Sequence, residues 1–227
     1  MMKTLRIAHR GAKGYAPENT LASFGKALDM QCDGIEFDVH LSADDEIIVI
    51  HDETTNRTTG FSGVITKMKL QELKRLRING TEEIPTLAEV LDLVDRNCLV
   101  NIELKAEATA KPVVAAIEKY IGRSWKYNHF LVSSFDWNAL KEIREINPKI
   151  PLGVLTMADL DLAIGFAEFI EAETIHPYFH LLTRENVKAM QEKGFGVFPW
   201  TINEPEDISK IKSFRVNGII SDFPDRI

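Results

Sequence analysis

Cysteine is scarce in this 227-residue chain: Cys32 and Cys98 are the only two. Both stand beside or at the start of predicted strands in apolar surroundings. That reads as buried free thiols in a reducing compartment, not as a disulfide frame or a thiolate metal site. No apolar run approaches the ~18 residues of a membrane-spanning helix. The first residues enter an extended segment at 5–8 with no signal-type apolar region or cleavage site, so the expected location is cytoplasmic, provided no leader precedes the chain. Basic clusters are missing as well. Against a formal net charge of −7, that argues against a nucleic-acid face, and the mixed charges read as a solvated surface. There is no GxGxxG dinucleotide fingerprint and no GxSxG nucleophile elbow, so Ser133 and Ser134 lack the setting of a serine hydrolase. Repeats, linkers and low-complexity tracts are absent too, and residues 1–227 read as one domain.

What the chain does contain is a regular alternation. Extended apolar runs at 5–9, 34–40, 47–50, 99–105, 130–134, 152–155, 174–176, 196–200 and 218–221 read as strands. Apolar stripes at 21–28, 111–121, 136–146, 160–170, 183–192 and 205–212 read as helices, with another opened by a Thr86–Glu89 capping box and a short one at 70–77. Setting aside the return strand of a β-hairpin at 34–52 leaves eight strands alternating with helices. That is the count of an α/β protein of the (β/α)8 TIM-barrel class, with 53–85 as a short irregular insertion. An open doubly wound sheet is the alternative. A barrel requires its chemistry at the C-terminal ends of strands. His9, Glu36, Asp38, Glu103, Lys105, Ser133, Ser134, His176, Trp200 and Asp222 all lie at or near such ends.

The stretch around Gly34-Ile35-Glu36-Phe37-Asp38-Val39-His40 is apolar on one face and ionisable on the other. Carboxylates two residues apart on a strand project together, as a hard divalent cation requires of its oxygen ligands. The strand at 99–105 repeats the pattern, with Asn101, Glu103 and Lys105 on one side. Judged on inner-face charge alone, a metal site and a structural carboxylate–Lys/Arg network are equally compatible with it. A two-residue turn at Asp44-Asp45 would set Asp38 directly opposite His51, bringing an acid and a base together.

His9-Arg10-Gly11, Pro17-Glu18-Asn19-Thr20, Glu36-Phe37-Asp38, His51-Asp52, Arg57-Thr58-Thr59 and Glu103-Leu104-Lys105 resemble the motifs of the glycerophosphodiester phosphodiesterase family. So do Ser133-Ser134-Phe135-Asp136, Trp200-Thr201-Ile202-Asn203 and Ser221-Asp222-Phe223-Pro224, in the same order along almost the whole chain. The resemblance implies hydrolysis of glycerophosphodiesters to sn-glycerol 3-phosphate and an alcohol. It implies one divalent metal ion, Mg²⁺ or Ca²⁺, on Glu36, Asp38 and Glu103, and acid–base catalysis by His9 and His51. Arg10 and Lys105 suit the phosphate, the first by a forked contact and the second as a point charge. Trp200 reads as a wall for the alcohol or as ordinary barrel filling. Glu18 and Asn19 border the site in the family, although Asn19 could simply cap the first helix.

His40 is expected at the rim, and His129, His176 and His180 are expected to be structural. The partner expected is a small-molecule glycerophosphodiester, with no nucleic acid and no membrane span; homo-oligomer formation is left open. Two alternatives stand beside this reading: a lysophospholipase D-like phosphodiesterase, and a barrel that binds phosphodiesters without turnover.

Overall fold

β-branched and apolar residues alternating at period two build the strands, and apolar stripes seal the helices over them. In the computed structural model, which describes residues 3–227, nine strands form. They are β1 (Leu5–His9), β2 (Gly34–Leu41), β3 (Ile47–Val49), β4 (Leu99–Leu104), β5 (Phe130–Ser134), β6 (Leu152–Thr156), β7 (Thr174–Pro177), β8 (Gly196–Val197) and β9 (Gly218–Ser221). All but β3 run parallel in the order β8-β7-β6-β5-β4-β2-β1-β9. The ends of this row meet: Asn217 N–H donates to the Val197 carbonyl at 3.1 Å, and Ile220 N–H to that of Pro199 at 3.0 Å. This closure makes the fold a (β/α)8 barrel and excludes the open sheet. β8 is shorter than the expected 196–200 because Pro199 has no N–H to give to a ladder.

The main apolar layer lies between barrel and helices, where Phe24, Phe37, Val90, Val132, Leu140 and Met190 are all fully buried. Inside the barrel, Ile7, Leu131, Phe198 and Ile220 form a second, smaller apolar cluster. The polar side chains at the C-terminal strand ends therefore stand on a sealed hydrocarbon floor. The insertion has a core of its own: Ile65, Leu73, Ile78 and Ile84 pack on Ile48 and Ile50 of the hairpin. Its helix covers only Leu70–Leu73 and not 70–77, because the chain turns back through left-handed Asn79 and Gly80 to pair Ile78 with Glu82.

The hairpin register differs from the expectation. Val39 pairs with Val49 and His40 with Ile48, and Ile50 N–H donates to the Asp38 carbonyl at 3.0 Å. Asp38 therefore faces Ile50, not His51. The loop has three residues, with Asp45 at φ 59° supplying the left-handed position that such loops need. Ser42 fixes it, taking the Glu46 N–H at 3.0 Å and donating to Asp44 Oδ1 at 2.7 Å.

Both cysteines are free and buried. Burial pushes the Cys32 thiol up to about 11 and the Cys98 thiol up to about 12. Because the thiolate is the reactive form, iodoacetamide at pH 8 is expected to leave the native protein unmodified and to label both residues once guanidinium unfolds it. Rapid labelling of the native chain, read by mass spectrometry, would contradict this packing. Among the described residues, no helix is long and apolar enough to cross a membrane.

Candidate active site

Parallel register sets the site. His9 lies beside Glu36, Glu36 beside Asn101, Asp38 beside Glu103, and Glu103 beside Ser133. Residues in register on neighbouring strands point the same way, so three carboxylates from two strands converge. One oxygen each of Glu36, Asp38 and Glu103 lies within 4.8 Å of the others.

The loop after β1 folds over this cluster. Arg10 and Gly11 both take left-handed conformations, at φ 52° and 80°. A Cβ on Gly11 would meet the Ser23 backbone at 2.7 Å, so the close approach to the first helix (Leu21–Asp29) needs glycine there. This turn aims the Arg10 N–H at Glu36 Oε2, 3.0 Å away, and brings the guanidinium to Glu18 Oε1 at 2.9 Å and Asp38 Oδ2 at 3.3 Å. Asn19, also left-handed, donates to Asp38 Oδ2 at 2.9 Å. The helix cap is Thr20, in a reciprocal capping box with Ser23. Asn19 thus belongs to the site and is not the cap.

Each histidine is held by a carboxylate. His9 Nδ1 is 2.6 Å from Asp222 Oδ1, and Asp222 is itself gripped by Asn203, which donates from Nδ2 to Oδ2 at 2.9 Å and accepts the Asp222 N–H at 2.9 Å. His51 Nδ1 is 2.7 Å from Asp52 Oδ1. Arg57 bridges onward, with Nε 2.7 Å from Asp52 Oδ2 and Nη2 2.6 Å from Glu18 Oε1. A continuous chain, His51–Asp52–Arg57–Glu18–Arg10, therefore links one histidine to the arginine over the carboxylates. A carboxylate on Nδ1 fixes that nitrogen as the N–H, which leaves Nε2 of each ring free to accept a proton. His40 is buried and not at the rim, its Nε2 lying 3.0 Å from the His51 carbonyl oxygen.

The electrostatics of the carboxylates are unbalanced. Burial, then the neighbouring charges of Asp38 and Glu103, push Glu36 well above the carboxylate range. Burial and Asp38 push Glu103 up to about 7, against the opposing pull of Lys105, whose Nζ sits 2.7 Å from Glu103 Oε1. Burial raises Asp38 too, but Arg10, Lys105 and His51 outweigh it and hold Asp38 low. Glu36 Oε1 is buried with no hydrogen-bond partner. An all-oxygen donor set with an orphaned buried oxygen and mutually repelling acids fits a hard divalent cation. Burial also lowers both His9 and His51, partly offset by the neighbouring aspartates.

His9, Arg10, Glu36, His51, Glu103, Lys105 and Trp200 line one pocket. Asp38 and Asn19 are buried behind it, and Glu18 lies on its outer side beside Arg57. Trp200 donates from its indole to the His176 carbonyl at 2.8 Å and meets Phe135 edge-on at 5.4 Å; it lines the pocket while packing on the apolar cluster inside the barrel. The sequence reading assigned no task to Asp222, Asp52, Asn203 or Arg57, although all four stand in its motifs. One signal was available: a closed barrel brings its last strand beside its first, and Ala8 pairs with Ser221, so the next residues, His9 and Asp222, must meet.

Comparison with known proteins agrees with this fold. The glycerophosphoryl diester phosphodiesterase family model matches residues 9–226. A glycerophosphodiester phosphodiesterase of Caldanaerobacter subterraneus is 37% identical over 237 residues, spanning 100% of this chain and 97% of that protein. One of Bacillus altitudinis is 36% identical, spanning 97% of this chain and 95% of that one. Among solved structures, an Oleispira antarctica phosphodiesterase in complex with the product sn-glycerol-3-phosphate superposes with a TM-score of 0.90 at 30% identity, covering 100% of this chain and 95% of its own. With the barrel, the ordered motifs and full-length matches in agreement, the chain belongs to the glycerophosphoryl diester phosphodiesterase family.

Proposed function

We propose that this protein hydrolyses glycerophosphodiesters to sn-glycerol 3-phosphate and an alcohol, with one divalent cation, Mg²⁺ or Ca²⁺, held by Glu36, Asp38 and Glu103. One observation carries the reading. The three carboxylates converge within 4.8 Å, Glu36 keeps a buried oxygen without a partner, and His–Asp pairs lie in the same site. When bound, the cation supplies charge to polarise the phosphoryl group and lowers the pKa of a nearby hydroxyl.

The chain's own groups do the rest. Arg10 and Lys105 neutralise the non-bridging phosphate oxygens. The free Nε2 of one histidine takes the proton of the glycerol 2-hydroxyl as that oxygen bonds to phosphorus. The other histidine, protonated, gives its proton to the alcohol oxygen as the P–O bond to the alcohol breaks. Water then opens the resulting cyclic phosphate with the two roles exchanged. Trp200 walls the alcohol's side of the pocket. The names of the relatives and the product bound in the Oleispira protein support this substrate class. The test is a coupled assay of glycerol 3-phosphate release from choline, ethanolamine and glycerol diesters, with and without chelator; no release from any diester with cation present would reject the reading.

A pH prediction follows from the His9–Asp222 pair. Asp222 raises the His9 pKa by hydrogen bond and charge, against the larger lowering by burial. Removing that carboxylate therefore moves His9 further down. Asp222→Asn is expected to shift whichever limb of the kcat/KM profile His9 governs to lower pH. It should also lower kcat by at least about tenfold, part of the roughly 10²–10⁴-fold worth of a positioned acid–base group. A limb that moves to higher pH would contradict the pairing.

A further inference from the structure

The inner part of the pocket carries polar atoms that this chemistry leaves idle. Asn101 on β4, Ser133 on β5 and His176 on β7 line the same cavity as His9 and Glu36, and none is more than 1% exposed. Asn101 Oδ1 and Nδ2, Ser133 Oγ and His176 Nδ1 are all buried without a hydrogen-bond partner. Buried polar atoms in native proteins are almost always satisfied, so four orphans in one cavity mark a place where something polar sits.

The fold makes room for it. β6 presents Gly153 between Ser133 and Thr174 in the register, and a Cβ there would stand 2.6 Å from His176 Nε2 and 2.8 Å from Thr174 Oγ1. Only glycine admits the imidazole. Thr174 Oγ1 donates to the Leu152 carbonyl at 3.3 Å and lies 2.8 Å from His176 Nε2, so it accepts from that nitrogen. Nε2 then carries the ring proton, and Nδ1 is a bare acceptor. The ring is neutral, since burial pushes its pKa down to about 3.

We infer that Asn101, Ser133 and His176 form a subsite for the terminal free hydroxyl of the substrate's glycerol group. The inference rests on the glycerophosphodiester reading and adds what the protein recognises: an unacylated glyceryl end. The three side chains are uncharged, so they do not compete with Arg10 and Lys105 for the phosphate. A quaternary ammonium headgroup has no hydrogen to give to Nδ1. A hydroxyl can donate to His176 Nδ1 while accepting from Asn101 Nδ2 or the Ser133 hydroxyl. A fatty acyl ester on that oxygen removes the donor and lays hydrocarbon against four unpaired polar atoms, which disfavours lysophospholipids.

The test compares glycerophosphocholine with its propane-1,2-diol counterpart, which keeps the 2-hydroxyl and lacks only the terminal one. Wild-type enzyme with Mg²⁺ is expected to favour the glycerol compound by roughly 10- to 100-fold in kcat/KM, the cost of leaving buried partners unpaired. In Ser133→Ala, Asn101→Leu and His176→Leu the ratio should fall toward one. Ser133→Ala removes a single oxygen and keeps the test alive if a larger change fails to fold, as judged by circular dichroism. Equal rates on both compounds in the wild type overturn the subsite alone. So does a ratio unchanged in every folded variant, which would leave the cavity to water. Turnover of neither compound overturns the functional reading and the subsite with it.

Discussion

His9→Ala and His51→Ala are each expected to lose roughly 10²–10⁴-fold in kcat, while cation binding stays near the wild-type level. The two rings reach the pocket from opposite ends of the chain's logic. His9 ends the first barrel strand and is braced by Asp222 from the last; His51 follows the hairpin and is braced by Asp52. Burial lowers the pKa of both, against the pull of the aspartates beside them. A transfer that needs one proton taken and one given requires both, so the double variant should be far less than multiplicatively worse. Steady-state kinetics on glycerophosphocholine decide this. A single variant with near wild-type kcat would defeat the shared proton transfer. Arg10→Lys should behave differently, weakening substrate and transition state together through loss of its forked contact.

Glu36→Ala is expected to remove at least about 10³-fold of activity, since charge stabilisation by a bound cation is worth several kcal/mol. Glu36 is the most exposed of the three carboxylates to mutual repulsion and the one with an oxygen left over. A thermal readout accompanies the kinetic one. Glu103 sits at about 7 in the folded protein against an ordinary 4.5. The metal-free fold therefore binds this proton more tightly than the unfolded chain does, and its contribution to stability falls as pH rises through that interval. A cation displaces the proton and relieves the repulsion. Adding Mg²⁺ or Ca²⁺ should raise Tm more at pH 8 than at pH 5, and Glu36→Ala should shrink the gain at both. A rise in Tm indifferent to pH and to Glu36 would place the ion elsewhere.

The barrel was legible because its signals are local: period-two strands, apolar helix stripes, a capping box at Thr86, Pro205 at a helix start and Gly194 after a helix end. The carboxylate cluster was legible for the same reason, since alternation along one strand decides which side chains project together. The hairpin register was not. It hung on whether Asp45 would accept a left-handed conformation, and a three-residue loop moves every partner by one place. Asn19 was ambiguous because the neighbouring Thr20 is an equally good cap, and only the fold shows which of the two turns inward. His176 read as structural, and the subsite proposed for it rests on what surrounds it. Its free nitrogen, the missing side chain at Gly153 and the idle Asn101 and Ser133 come from four different strands. Long-range partners such as Asp222 for His9 follow from barrel closure, which a residue-by-residue reading does not enforce.

The central claim is that Glu36, Asp38 and Glu103 hold a cation on which turnover depends. The most direct test is glycerol 3-phosphate release after exhaustive chelation, with the metal content of the same sample measured by elemental analysis. The expected result is no turnover in metal-free protein and full recovery when a divalent cation is restored. Undiminished turnover in protein shown to contain no metal would contradict the account.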